Sequence, residues 1–175
     1  KPMNCPFHVK VYNREIRSYR ELTTCYAELG TVYRYERSGV LHGLTRVRGF
    51  TQDDAHLICQ PGQIAEELEK LIKYGLKVLG TFGFKDYNIY LATRPEKYTG
   101  SLKDWQKATN TLKYTLDKLK LKYQTDPGGG VFYGPKIDFM ATDALGREWQ
   151  LATPQLDFVQ PKRFGLKYID NEGKE

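Results

Sequence analysis

The sequence predicts an α+β fold in which helices flank an antiparallel sheet. Two long segments place apolar residues at helical spacing, and several shorter segments have the composition of strands. The clearest hairpin surrounds Asp143–Gly146, a turn-forming stretch between strand-like runs at 137–142 and 148–158. Strands joined by hairpins are antiparallel, and amphipathic helices bury their apolar faces against such a sheet.

The first helix is predicted over Gln63–Phe82, where Gly80 and Gly83 mark its end. The second is predicted over Ser101–Leu119 with Ser101 as the N-cap, and a strand over Tyr87–Leu91 lies between the two helices. The apolar faces consist of Ile64, Leu68, Leu71, Ile72, Leu76 and Leu79 in the first helix and Trp105, Ala108, Leu112, Leu116 and Leu119 in the second. Both helices are therefore assigned to core packing.

Length and composition predict a soluble globular chain that forms one domain or part of one. The 175 residues are 40% hydrophobic and 13% aromatic, which excludes wholesale disorder, and no apolar run approaches the length of a membrane span. The net charge of +6 favours polyanionic partners such as nucleotides or nucleic acid, although a solvated basic face has the same composition.

The three cysteines, Cys5, Cys25 and Cys59, are an odd number without paired spacing. This pattern argues against a disulfide framework and for a reducing compartment, so we expect a cytoplasmic protein. The chain opens with Lys1 and Pro2 rather than an initiator methionine, and we expect it to be an excised fragment.

The stretch from Tyr33 to His56 carries the clearest signs of a binding site. Arg34 and Glu36 alternate with aromatic residues, so in an extended strand both charges would point to one face. Thirteen residues from Arg37 to Gly49, with three glycines and three arginines, then form a loop before a return strand from Phe50. A surface ion pair between Arg34 and Glu36 is the commoner interpretation, and a ligand that binds both charges is the alternative.

This stretch resembles motif 2 of the class II aminoacyl-tRNA synthetases, and within that class the threonyl-tRNA synthetase family. The matching residues are Arg34–Glu36, Gly43–Phe50 and Gln52–His56, and four further strings follow the order of the family: Lys1–His8, Thr93–Lys97, Phe132–Asp138 and Gln155–Phe158. Together they cover most of the chain. The resemblance implies part of the class II catalytic fold, in an enzyme that activates threonine with ATP and joins it to threonine tRNA.

The resemblance also implies which residues bind ATP, which is bound with magnesium. Formation of an adenylate moves negative charge onto the phosphates, so cationic side chains are needed there. Arg34 is implied to contact the α-phosphate and Lys136 to lie near the reacting carboxylate and phosphate, which makes these two the catalytic residues. The other implied contacts are Arg46 with the outer phosphates, Glu36 with the adenine amino group, Phe50 stacked on the base, and Gln150 with the nucleotide.

Zinc is implied as a second cofactor. From the residues alone, Cys5 and His8 have the more ligand-like spacing, since His56 lies 51 positions after Cys5, and an isolated cysteine or histidine is more often a packed core residue. The resemblance selects Cys5 and His56 as ligands and implies that Asp54 accepts the proton of the threonine hydroxyl. The remaining residues implied to line the threonine pocket are Gln52, Tyr133 and Gln155.

Several family features are missing from residues 1–175, which we expect to be only part of the catalytic domain. Motif 1, motif 3, the editing and anticodon-binding domains and a third zinc-binding histidine have no match, and Leu151, Ala152 and Pro154 depart from the usual pocket sequence. We expect the isolated fragment to be inactive and the parent enzyme to be a homodimer. The alternatives are a non-catalytic paralogue and a metal-stabilised RNA-binding or interaction domain.

Overall fold

A computed structural model describes residues 1–175 of the chain, which form two compact units. The first unit comprises Lys1–Gln60 and Phe164–Glu175, and the second comprises Pro61–Arg163. The elements of the first unit are α1 (Cys5–Tyr12), β1 (Thr24–Tyr33) and β2 (Gly49–Ile58). Those of the second are α2 (Ile64–Thr81), β3 (Asn88–Ala92), α3 (Leu102–Lys118), β4 (Gln124–Asp126), β5 (Lys136–Thr142), β6 (Glu148–Ala152) and α4 (Gln160–Arg163).

In the first unit, β1 and β2 form an antiparallel ribbon that pairs along its full length, from Thr24 opposite Ile58 to Tyr33 opposite Gly49. Side chains alternate between the two faces of a strand, so every second residue shares a face. On one face Tyr26, Glu28, Asp54 and His56 are half-buried. Helix α1 lies against this face, since its His8 contacts His56. The ribbon therefore presents one protected polar face.

In the second unit, four strands are ordered β4-β3-β5-β6, with β3 and β4 parallel and the other neighbours antiparallel. Helices α2 and α3 cover one face of this sheet through a buried apolar core, formed by Leu68, Ile72, Leu79, Ile89, Leu91, Leu112, Leu116, Ile137 and Phe139. The opposite face carries the alternate residues of β5, namely Lys136, Asp138 and Met140. Polar side chains are thus concentrated on the face that the helices leave open.

The predicted α+β class is confirmed, and both long helices form where the periodicity places them. Ser101 is the N-cap of α3, because its side-chain oxygen accepts a hydrogen bond from the Asp104 amide at 3.1 Å. Most strand neighbours are antiparallel as predicted, and the parallel pair β3 and β4 makes the four-stranded sheet mixed. No helix of the chain combines the length and apolarity needed to cross a bilayer.

Two predicted strand boundaries are also corrected. The strand expected to include Arg34 and Glu36 ends at Tyr33, because the Glu36 amide donates to the Arg34 carbonyl at 3.0 Å instead of to a neighbouring strand. The run expected at 148–158 is a strand only as far as Ala152, beyond which Gln155 forms a single isolated bridge with Lys136.

Candidate functional site

Arg34 and Phe50 meet at the end of the ribbon. Arg34 directly follows β1, and its Nε donates to the Pro2 carbonyl at 3.1 Å. Its guanidinium carbon lies 5.2 Å from the centre of the Phe50 ring, which is cation–π distance. The arginine remains exposed, whereas the ring is half-buried. This arrangement places an accessible cation beside an aromatic surface.

Glu36 pairs with Arg46 across the loop, with Oε1 and Nη1 3.8 Å apart. The pair between Arg34 and Glu36 that the sequence permitted does not form, because Arg34 turns toward Pro2 and Phe50. An ion pair of this length with an exposed arginine contributes little to stability. A ligand could therefore separate Arg46 from Glu36 with little loss of free energy.

Beneath α1, the protected face of the ribbon holds a connected polar cluster. The Asn4 amide nitrogen donates to Asp54 Oδ2 at 2.9 Å, and the Nδ1 atoms of His8 and His56 are 2.7 Å apart. His8 Nε2 lies 3.2 Å from a carboxylate oxygen of Glu28. Burial lowers the pKa of His56, although the nearby Asp54 carboxylate acts in the opposite direction. Burial thus favours the neutral imidazole at His56.

The donor chemistry of this cluster suits zinc, which binds neutral imidazole and cysteine thiolate. Cys5 lies in the first turn of α1, three residues before His8, and so shares with it one side of the helix. The structure brings His8, rather than Cys5, into direct contact with His56. The structure contains no group of three or more His, Cys, Asp and Glu side chains that could hold a metal ion. Cys5 and His56 are therefore two candidate donors and do not form a complete set of ligands.

In the second unit, Asp138 joins two residues that the sequence assigned to the nucleotide site. The Asp138 side chain is only 10% exposed and forms an ion pair with Lys136. Its Oδ1 accepts hydrogen bonds from Gln150 Nε2 at 2.9 Å and from the Thr153 hydroxyl at 3.1 Å. Sequence reasoning missed Asp138, although its position two residues after Lys136 in a strand places both on one face.

Tyr133 and Gln155, both predicted to line the threonine pocket, are also brought together. The Tyr133 hydroxyl donates to Gln155 Oε1 at 2.7 Å. Their segments are joined by backbone hydrogen bonds, including one from the Ile137 amide to the Pro154 carbonyl at 2.9 Å. Gly134 permits this close approach, because a side chain there would collide with the Leu156 carbonyl. Pro154 takes part in this pairing through its carbonyl, so the absence of an amide hydrogen removes no hydrogen bond here.

Comparison with known proteins shows the class to which this fold belongs. The family model of the class II tRNA synthetase core domain (G, H, P, S and T) matches residues 1–175, and the chain belongs to that family. Within it, the chain is similar to the threonine–tRNA ligases, as the sequence motifs indicated. The predicted resemblance and the predicted class II fold are therefore confirmed.

Two curated relatives show how close this similarity is. The chain is 56% identical over 173 residues to the threonine–tRNA ligase of Nitrosococcus oceani, and 52% identical over 175 residues to that of Aquifex aeolicus. The alignments cover 99% and 100% of the chain but only 27% of each relative. The chain thus spans about a quarter of the length of the curated relatives that it matches.

A solved structure is similar over nearly the whole chain. It is the crystal structure of the RNA-binding domain of threonyl-tRNA synthetase from Cryptosporidium parvum, which matches with a TM-score of 0.93 and 45% identity. The match covers 98% of this chain and 43% of that one. The two units of the chain are consequently folded as in a threonyl-tRNA synthetase.

Proposed function

We propose that this chain is the part of a threonine–tRNA ligase that binds ATP and threonine, in an enzyme that activates threonine and transfers it to threonine tRNA. The observation that carries the proposal is the identity of 52–56% with threonine–tRNA ligases over at least 99% of the chain. The contacts within each unit support the individual roles. The enzyme acts as a cytoplasmic homodimer.

The ribbon of the first unit supplies the nucleotide contacts. Arg34 binds the α-phosphate with its exposed guanidinium, and Phe50 beside it stacks on adenine. Arg46 leaves Glu36 to bind the outer phosphates, which carry magnesium, and Glu36 then accepts a hydrogen bond from the adenine amino group. Because the Arg46–Glu36 contact is long, at 3.8 Å, little free energy is lost when Arg46 exchanges Glu36 for phosphate.

The open face of the sheet in the second unit supplies Lys136 and Gln150. Lys136 is a cation for the reacting carboxylate and phosphate, where charge develops as the adenylate forms. Asp138 orients both side chains, since each is bonded to its carboxylate. Tyr133 and Gln155, joined by their own hydrogen bond, contribute to the threonine pocket.

Cys5 and His56 would hold zinc, and burial, which lowers the pKa of His56, favours the neutral imidazole that this role needs. A zinc ion bound there would supply a Lewis acid for the amino and hydroxyl groups of threonine. Asp54 accepts the hydroxyl proton and is held in place by the buried Asn4 amide. Gln52 shares the same face of β2. A site that binds the hydroxyl in this way rejects valine, which lacks it.

The test is threonine-dependent exchange of pyrophosphate into ATP by the full-length ligase that carries this segment. Arg34→Ala should slow adenylate formation by a larger factor than it weakens threonine binding, because the positive charge matters most as the α-phosphate reacts. Arg14→Ala is the matched control, since Arg14 is 81% exposed and pairs only with its neighbour Glu15. Exchange that is unchanged in Arg34→Ala would remove Arg34 from the reaction.

A further inference from the structure

Three side chains on the protected face of the ribbon form a linear series, from Glu28 through His8 to His56. Glu28 Oε1 lies 3.2 Å from Nε2 of His8, and Nδ1 of His8 lies 2.7 Å from Nδ1 of His56. Asp54 Oδ1 lies 4.0 Å from the same nitrogen of His56. His8 is only 7% exposed, so its surroundings fix its orientation. The Nε2 atom of His56 is the one imidazole nitrogen outside this series.

The distances decide where the hydrogens lie. Two imidazole nitrogens at 2.7 Å require that one donates and the other accepts. If His8 donated through Nδ1, the bare lone pair on its Nε2 would face the Glu28 carboxylate at 3.2 Å. If His56 donates through Nδ1 to His8, the hydrogen on His8 Nε2 faces that carboxylate instead. Glu28 therefore favours the second arrangement, and Asp54, 4.0 Å from Nδ1 of His56, favours a hydrogen on that nitrogen through its charge.

Resting on the zinc-binding role proposed above for His56, we propose that His8 is a positioning residue that fixes the tautomer of His56 and so leaves the Nε2 lone pair of His56 to bind zinc. A metal-binding histidine is commonly oriented by a hydrogen bond to its other ring nitrogen. Here the acceptor is a second histidine, which is itself oriented by Glu28. Lys1 Nζ lies 3.4 Å from Glu28 Oε2 and balances the charge of this carboxylate.

The tautomers are directly measurable in the metal-free chain by long-range ¹H–¹⁵N correlation, at about pH 8, above the ordinary pKa of histidine. We expect His56 to carry its hydrogen on Nδ1 and His8 on Nε2. His42, which is exposed in the loop, provides a reference within the same spectrum. Because this measurement uses neither ATP nor zinc, its outcome is independent of the proposed enzymatic function. A hydrogen on Nε2 of His56, or hydrogens on both nitrogens of His8, would overturn the proposal.

Variants of His8 test its effect on the metal. In His8→Phe, His56 loses its acceptor, so we expect its hydrogen to move toward Nε2 and zinc affinity to fall by about 10- to 100-fold. His8→Asn provides a matched control, since its amide oxygen can still accept from Nδ1 and should retain most of the affinity. Zinc is titrated into each variant while the His56 nitrogen resonances are followed, and dispersed amide spectra establish that each variant is folded.

Two results would separate the steps of the proposal. If His56 has the expected tautomer but His8→Phe leaves zinc affinity unchanged, His8 does not position the metal ligand. If zinc shifts Nδ1 of His56 and leaves Nε2 unchanged, the wrong nitrogen has been assigned. Failure of pyrophosphate exchange in the full-length enzyme would contradict the proposed function and leave the tautomer measurement intact.

Discussion

At the scale of single residues, the carboxylate of Asp138 organises the polar face of the four-stranded sheet. It holds Lys136 and Gln150 at one point while remaining almost fully buried. A buried acid of this kind stabilises the fold only together with its partner, because removal of one charge leaves the other uncompensated. The same contacts that orient the side chains thus contribute to stability.

Asp138→Asn should therefore affect both stability and catalysis. We expect the free energy of unfolding to fall by about 3 kcal/mol, because Lys136 loses its counter-charge, and adenylate formation to slow because Lys136 and Gln150 are no longer held. Thr153→Val removes one neutral hydrogen bond to the same carboxylate and should cost only about 1 kcal/mol. Urea unfolding followed by tryptophan fluorescence gives the first quantity and pyrophosphate exchange the second. Equal costs for the two variants would contradict the charge argument.

Asp54→Asn tests the threonine pocket. The asparagine keeps the shape of the side chain but cannot accept the hydroxyl proton, and its own amide would face the amide of Asn4. We expect discrimination between threonine and valine to fall toward the factor of about 100 that shape alone provides. The ratio of kcat/KM for the two amino acids in pyrophosphate exchange measures it. A ratio that stays at the level of the unaltered enzyme would show that Asp54 does not recognise the hydroxyl.

Side-chain partnerships are the part of the site that the sequence could not provide. Arg34, Lys136 and the other implied residues came from motifs, whose order along the chain is visible in the sequence. The contacts of Asn4, His8 and Asp138 depend on strand register and on how α1 lies on the ribbon. Neither quantity follows from local pattern, so the contacts of these three residues were found only in the structure.

At the scale of elements, predictability follows the strength of the apolar pattern. The faces of α2 and α3 are strongly amphipathic and were predicted nearly to their ends. Helix α1 was not predicted, because its apolar residues are spread around it and only two of its eight residues, His8 and Tyr12, are buried. A weaker signal was present in Pro6, a residue that suits the first turn of a helix.

Gly30 in β1 makes the contact between α1 and the ribbon possible, and its substitution provides a test at this scale. A side chain at position 30 would collide with the buried Asn4 side chain. Gly30→Ala should therefore displace Asn4 and destabilise the ribbon by about 1–3 kcal/mol, as overpacking does. Hydrogen exchange of the β1 and β2 amides measures the local free energy of opening.

Gly75→Ala is the matched control with the opposite expected sign. Gly75 lies within α2, and a side chain there would meet nothing within 4 Å. Alanine has the higher helix propensity, so we expect α2 to gain up to about 1 kcal/mol. Destabilisation by both substitutions would mean that the effect at position 30 is not specific to Asn4.

At the scale of the whole chain, the α+β class was predictable because helices and hairpins leave local patterns. The division into two compact units was not, since it depends on which elements contact one another rather than on any single segment. The antiparallel sheet was predicted from hairpins, whereas the parallel pairing of β3 and β4 connects segments separated by α3. The assignment of all 175 residues to one catalytic domain remains a prediction.

The final prediction concerns the 175-residue chain by itself, which we expect to fold but neither to retain zinc tightly nor to form threonyl-adenylate. Its buried core supports folding. Cys5 and His56 would leave zinc with two open positions, whereas catalytic sites normally leave one, so affinity should be weak. The chain also spans only 27% of the length of relatives such as the Aquifex aeolicus ligase. Metal analysis after dialysis and threonine-dependent pyrophosphate exchange, each beside the full-length enzyme, measure both properties. Stoichiometric zinc, or exchange near the rate of the full-length enzyme, would show that these residues suffice for the site.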